Sequence, residues 1–322
     1  MDDRAFLDGL TDIVGPTGVA TTADDLAPWL TDWRERVTGD ALALVSPKNV
    51  GQVQAIVRLA SEAGVAIVPQ GGNTGMVAGG VPCPGDRAIL LSLRKMNAIR
   101  SIDPADNSLT AEAGAILSHV HAAAEEHGRR FPLSLGAKDS ATIGGLIATN
   151  AGGTQVLRFG SMRNLTLGVE AVLPDGSLFE GLSTLRKDNR GYDLRQLLAG
   201  SEGTLGVVTE ITFKINPKTT AASTALATFD DLEDAGRAVS QIMYSGIIPS
   251  VLEILGREAI MAINQNTDLN LPEVDAILLA ETDGYTKEET DFQMKKVIHV
   301  FGKNNATEIK EAKSEQEAAD LW

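Results

Sequence analysis

Residues 68–80 read VPQGGNTGMVAGG, five glycines in thirteen positions, directly after the apolar run AGVAIV of residues 63–68. A loop of this composition lets backbone amides approach a phosphate closely. Its spacing fits neither of the common phosphate loops. A dinucleotide fingerprint requires G-x-G-x-x-G, but Gly71 and Gly72 are adjacent and Asn73 follows them. A P-loop requires Lys after its last glycine, and here Val81 follows Gly80. Which phosphate the loop serves therefore has to come from the rest of the chain.

Immediately upstream, ALALVSPKNVGQVQAIVRLASEAG (41–64) predicts a short strand, a break at Ser46–Pro47 and a helix. Val50, Val53, Ile56, Val57 and Ala60 share one face of that helix, and Gly64 ends it. VAIVP (65–69) then reads as a buried strand, so the glycine-rich loop follows a strand–helix–strand unit. Residues 1–36 predict an amphipathic helix, a Gly/Thr/Asp-rich loop and a second short helix around LAPWLTDWRER (26–36).

Downstream, AILLSL (88–93), NAIRSI (97–102) and LTAEAG (109–114) read as strands, with DPADNS as a turn, and AILSHVHAAAEEHG (115–128) as a helix. His119, His121 and His127 are offset by two and six positions, not the i, i+4 spacing of a metal pair, which favours solvent or packing roles. A second glycine-rich tract, PLSLGAKDSATIGGLIATNAGGTQVLRFG (132–160), has room for one short helix, ATIGGLIATN. On its own it reads equally as a structural loop or as a lining of amides and small hydroxyls for a large, flat ligand. LTLGVEAVLPDGSLFEG (165–181) predicts a hairpin turning at Pro174-Asp175-Gly176. From about residue 220 the pattern is β-α-β twice, a small α+β unit beginning just after Pro217. Beyond residue 258 every basic residue is Lys, which fits a more solvated surface or a junction of two parental sequences.

Composition bounds the rest. The chain has 322 residues, enough for two domains, and 43% apolar content supports a packed core. No run approaches the ~20 apolar residues of a membrane helix. The acidic N-terminus MDDRAFLDGL is unlike a signal peptide, which predicts a cytoplasmic protein. The single cysteine, Cys83, excludes an internal disulfide and Cys-rich metal sites. A formal net charge of −15 argues against nucleic acid as a partner. Ser92-Leu93-Arg94-Lys95 matches the S-x-x-K of some serine hydrolases, but S-D-N and K-T-G are missing and the match is chance.

Three motifs, taken in order, give the chain a family likeness: PQGGNTGMVAGG (69–80), ATIGGLIATNAGGTQVLRFGSMRNLTLGVEAVLPDG (141–176) and KDNRGYDLRQLLAGSEGTLGVVTEITF (187–213). With them the sequence resembles the FAD-binding oxidoreductases of the vanillyl-alcohol oxidase/PCMH type. Among these it looks most like the D-2-hydroxyacid dehydrogenases, the group of D-2-hydroxyglutarate dehydrogenase, D-lactate dehydrogenase and the glycolate oxidase D subunit. The resemblance implies an α+β architecture: an N-terminal helical segment (1–35), a PCMH-type two-subdomain FAD-binding domain (36–218) and an incomplete α+β, ferredoxin-like substrate or cap domain (219–322). It places Pro69, Gly71, Gly72, Asn73, Thr74, Gly75, Met76 and Gly80 around the FAD pyrophosphate. Pro132, Ser134, Gly136, Thr142, Gly144, Gly145, Thr149, Asn150, Gly152 and Gly153 would line the flavin and its chain, and Glu202, Gly203, Gly206 and Val208 would close over it. Some relatives attach FAD through a His in the first loop; Asn73 and no His stand there, so noncovalent FAD is implied.

The implied reaction oxidises the Cα–OH of a small D-2-hydroxy acid (D-2-hydroxyglutarate, D-lactate or glycolate) to the 2-oxo acid. Hydride passes to flavin N5, and electrons leave to a quinone, a cytochrome or an electron-transfer flavoprotein. Relatives continue with an Arg-containing helix that grips the substrate carboxylate and a His-x-Gly-Asp-Gly-Asn-x-His-type segment that supplies metal ligands and a catalytic His. Neither stands in this sequence, and His299 falls in a Lys-rich amphipathic helix. The expectation is a chain that binds FAD, lacks the family's divalent-metal site, and turns over weakly unless a homo-oligomer or partner subunit supplies the rest. The alternative is a noncatalytic FAD-binding subunit or fragment. Lys187 and Asn189 are the nearest polar candidates for the active-site face, or are equally surface-turn residues.

Overall fold

Asn49 caps the first long helix of the central fold: its side chain accepts from the Gln52 amide at 3.0 Å, and Gln52 Oε1 accepts from the Lys48 amide at 2.7 Å. The helix runs Val50–Ala63, buries Val53, Ile56, Val57 and Ala60, and stops at Gly64 in the left-handed conformation, φ 63°. The computed structural model describes all 322 residues, and the chain divides into two units. The first comprises Met1–Gly152 and Ser161–Pro217, the second Gly153–Gly160 and Lys218–Trp322.

The first unit holds two principal sheets. One contains β1 (Val19–Ala20), β2 (Leu44–Val45), β3 (Ala66–Gln70) and β4 (Ala88–Ser92) in the order β1-β2-β4-β3. β2 and β3 both run parallel to β4, with the Val50–Ala63 helix as their crossover. The glycine-rich loop leaves the carboxyl end of β3, the end of a parallel sheet where ligands bind. Ser92 ends β4 and is buried.

The chain continues through β5 (Ile99–Asp103), β6 (Ser108–Glu112), a two-residue β7 (Arg129–Arg130), β8 (Thr166–Val172), β9 (Leu178–Gly181), β10 (Val207–Lys214) and β11 (Asn216–Pro217). Five of these form an antiparallel sheet in the order β5-β6-β10-β8-β9, and β7 pairs with β11. The predicted hairpin is β8–β9, its turn closed by the Gly176 amide on Leu173 O at 2.8 Å. The short helix Ile143–Ala148 buries Ile143, Leu146 and Ile147 and packs against β6 and β10. His121 is half-buried and packs against Phe131: its Nε2 lies 2.8 Å from Leu133 O, and burial lowers its pKa.

Residues 26–36 depart from the expected helix. A short helix, Ala23–Leu26, passes into a 3₁₀ turn at Ala27–Trp29, and Thr31 bridges to Thr38. The cause is Asp32, whose carboxylate accepts from the amides of Arg34, Arg36 and Val37 at 3.1, 2.8 and 2.6 Å. A side chain that satisfies three amides locally offers the backbone an alternative to helix. These bonds, the one from Val37 foremost, hold the Asp32 carboxyl below its ordinary pKa. Residues 1–35 are not a separate helical segment: β1 pairs with β2, and helix Asp3–Val14 packs on helix Val50–Ala63.

The second unit carries β12 (Ala221–Phe229), β13 (Val251–Gly256), β14 (Ala276–Gly284) and β15 (Glu308–Glu311), all antiparallel in the order β13-β14-β12-β15. That is the order of a ferredoxin-like split β-α-β motif. Helices Leu232–Tyr244 and Lys287–Lys303 bury Ala238, Ile242, Met294, Val297 and Phe301 against Phe229, Leu278 and Ala280. Helix Arg257–Asn266 lies between β13 and β14 in sequence. Residues 153–160 join this unit although they interrupt the first in sequence. Arg158 anchors them, ion-paired with the buried Asp283 carboxylate and donating to Asp283 O at 2.7 Å. No helix of the protein is long and apolar enough to cross a membrane.

Candidate functional site: a cleft in the first unit

The 68–80 loop turns directly after β3. Asn73 and Ala78 adopt left-handed φ values of 53° and 61°. Left-handed residues of this kind are one element of the turns that gather successive N–H groups into anion-binding concavities. The amides of Gly71, Gly72, Asn73, Thr74 and Gly75 donate to no other atom of the chain. These residues are half-buried or exposed, so the donors are open to solvent or to a ligand. The absence of Cβ at two positions lets the loop lie flat on the second glycine-rich tract. A Cβ on Gly71 would stand 2.1 Å from Thr142 Oγ1, and one on Gly72 2.0 Å from Ser140 O.

The loop forms one wall of a cleft of about 500 Å³. Of the residues singled out from sequence, Pro69, Gly71, Gly72, Asn73, Thr74, Gly75, Met76, Gly80, Thr142, Gly144, Gly145, Thr149, Glu202, Gly203, Gly206 and Val208 line it together. Pro132, Ser134, Gly136, Asn150, Gly152 and Gly153 do not line it. Leu135 and Ala137 take the lining positions in the first of those stretches. Asn150 instead closes a turn: its Oδ1 accepts from Ser161 Oγ at 2.8 Å and from the Arg163 amide at 2.9 Å. Gly153 belongs to the second unit. Lys187 and Asn189 lie on an exposed segment outside the lining. Between them Asp188 is held at about 2 by its hydrogen bonds to Arg190.

Sequence reasoning missed Gln70, Leu93, Ala113, Leu146 and Val207, which also line the cleft. Gln70 could have been found as the one amide side chain in an apolar strand leading into the loop. It is buried, and its Nε2 bridges Trp29 O at 2.9 Å and Gly80 O at 2.7 Å. Asn73 also donates through Nδ2 to Thr31 O at 2.8 Å and so holds the loop.

Comparison with known proteins now bears on these features. Residues 41–181 match the model of a FAD binding domain, and residues 218–322 that of the C-terminal domain of FAD linked oxidases. The chain belongs to the FAD-linked oxidases. A mitochondrial D-2-hydroxyglutarate dehydrogenase of Bos taurus is 38% identical over 88% of this chain and 52% of its own length. A putative mitochondrial D-lactate dehydrogenase of Schizosaccharomyces pombe is 33% identical over 99% of this chain and 60% of its own. The chain thus spans about half the length of the curated relatives it matches, from 44% to 60%. The fold of alkyldihydroxyacetonephosphate synthase superposes with a TM-score of 0.82 at 20% identity, over 99% of this chain and 62% of that one.

The cleft residues fit the FAD of this family. The unengaged amides of Gly71–Gly75 suit a dianionic pyrophosphate without needing a lysine. The lining around Leu93, Leu135, Leu146 and Val207 is apolar, as a flavin requires. Two buried side-chain atoms of lining residues, Gln70 Oε1 and Thr142 Oγ1, have no hydrogen-bond partner in the protein. A buried polar atom left alone is costly, and a ligand with polar edges relieves that cost.

Proposed function

We propose that the chain binds FAD noncovalently in the first unit's cleft and serves the oxidation of a small D-2-hydroxy acid to its 2-oxo acid, with electrons passed on to a quinone, a cytochrome or an electron-transfer flavoprotein. The observation that carries the cofactor reading is the run of free amides at Gly71–Gly75 opening on an apolar cleft. Support for the substrate class is the likeness to D-2-hydroxyglutarate and D-lactate dehydrogenases. When bound, FAD supplies the hydride acceptor. The chain's own residues bind the pyrophosphate, exclude water from the flavin with the Leu93, Leu146 and Val207 side chains, and hold it rigid.

One observation favours a second reading, in which the chain is a FAD-binding part that needs residues from elsewhere. The cleft lining has a single ionisable group, Glu202, and no cation for a substrate carboxylate. Oxidation of a hydroxy acid needs that cation and a group to take the hydroxyl proton. Purified protein is expected to show a flavin band in the visible spectrum, and to gain one on addition of FAD when deflavinated. Absence of both results would end the cofactor reading. Anaerobic bleaching on adding D-2-hydroxyglutarate, D-lactate or glycolate to this chain alone would rule out the second reading.

A further inference from the structure

Four contacts tie the 68–80 loop to residues 29–34, a segment that lies before the region matched by the FAD-domain model at 41–181. Gln70 Nε2 donates to Trp29 O at 2.9 Å, and Asn73 Nδ2 to Thr31 O at 2.8 Å. Arg34 Nη2 lies 3.6 Å from Met76 Sδ. The fourth contact runs through Arg94, whose guanidinium lies over the Trp29 ring, 4.4 Å from its centroid, while its Nε donates to Gly71 O at 2.9 Å. The segment itself is fixed by the Asp32 carboxylate on the amides of Arg34, Arg36 and Val37, and by Gly39 N on Leu30 O at 2.9 Å.

The Arg94 contact acts on the anion site through one peptide plane. In a trans peptide the carbonyl and the following N–H point in opposite directions. With Gly71 O drawn to Arg94, the Gly72 N–H is directed away from Arg94, which fixes the orientation of one donor of the free run. A charged donor on the carbonyl also polarises the amide and makes its N–H a stronger donor. Stacking on Trp29 favours this position of the guanidinium.

We infer that residues 29–34, together with Arg94, form a positioning brace that presets the Gly71–Gly75 amides for a diphosphate. The inference rests on the FAD reading above. The brace makes a specific demand on the ligand: it strengthens binding of the diphosphate and leaves the flavin ring unaffected. FAD carries the diphosphate and riboflavin carries none, so the pair separates brace from fold.

The experiment uses the full deflavinated chain and measures dissociation constants for FAD and riboflavin by flavin fluorescence, in the wild type, Arg94→Gln, Arg94→Lys and Trp29→Leu. Loss of one charge-assisted bond and its polarising effect weakens FAD by about tenfold in Arg94→Gln. Trp29→Leu weakens it by several-fold, and Arg94→Lys retains part of the affinity. Riboflavin binding stays within about twofold in all of them, and circular dichroism confirms that each variant is folded. Equal loss of FAD and riboflavin affinity, or unchanged FAD affinity in folded Arg94→Gln, would overturn the brace. Should Arg94→Gln not fold, Trp29→Leu decides on the same ratio. A wild-type chain that binds neither flavin would count against the cofactor reading itself, a result distinct from either of those.

Discussion

The two glycine-rich tracts look alike in sequence and do opposite things. In residues 71–75 the backbone amides are left free, and the loop's shape is held by side chains: its own Asn73, the adjoining Gln70, and Arg94 from another segment. In residues 141–151 most of the amides are engaged within the protein, those of Thr142 and Gly145 excepted. Ile143 N bonds Ala115 O at 2.9 Å, Gly144 N bonds Ala113 O at 2.7 Å, and Leu146, Thr149 and Ala151 close helical or turn bonds. Glycine there serves proximity, since a Cβ on Gly144 would stand 2.7 Å from Ala113 Cβ. Glycine content therefore marks close backbone approach; whether the approach is to a ligand or to a neighbouring strand depends on where the amides go.

The contrast can be broken at its strongest point, where the tracts touch. Gly72→Ala would put a Cβ 2.0 Å from Ser140 O, a backbone atom that cannot swing aside. We expect it to cost about 3 kcal/mol of stability, the upper end of overpacking penalties. FAD affinity should fall by about a hundredfold in titration, since the loop must lift off the tract that supports it. Near wild-type FAD binding in this variant would show that the loop is not held as described. Gly144→Ala separates the two roles. It should lower the thermal midpoint of the apoprotein, at a cost of about 2 kcal/mol, while the preference for FAD over riboflavin survives. A changed preference would mean that the second tract also handles the diphosphate.

The smallest effect is one of pH. Asp32 has its pKa lowered in the folded chain, mainly by the Val37 amide. A depressed carboxyl contributes stability that is present above its ordinary pKa of 3.8 and is lost as pH falls through the lower folded value. FAD affinity relative to riboflavin should therefore hold constant from neutral pH down to that region and then decline. Asp32→Asn should remove that acidic step, and an identical acid profile in the variant would separate Asp32 from the loop.

Much of this was legible locally. The helix after Asn49, its end at Gly64 and the hairpin at Pro174-Asp175-Gly176 follow from signals within a few residues of each other. So did the loop and most of its cleft partners, because glycines and small hydroxyls gather in two recognisable tracts. The brace was not legible. Trp29, Arg94 and Gly71 are far apart in sequence, and nothing in their own neighbourhoods announces that they stack. The helix expected over 26–36 failed for a related reason: its apolar spacing was helical, but one carboxylate satisfied three amides in a tighter turn. Ser134 and Gly136 share a tract with true lining residues, but Leu135 and Ala137 are the ones that face the cleft.

The excursion of residues 153–160 has a consequence for how the chain is made and how it can be taken apart. The eight residues that Arg158 fastens to Asp283 leave the ribosome well before the β12–β15 sheet that receives them. They must wait, unpaired, until Asp283 is synthesised, so the second unit cannot finish folding as an independent downstream module. A protease cut after Pro217 would put Arg158 and Asp283 on different fragments. Residues 218–322 expressed alone would carry a buried carboxylate without its arginine, and a faithful transplant of this unit would have to bring the distant octapeptide with it.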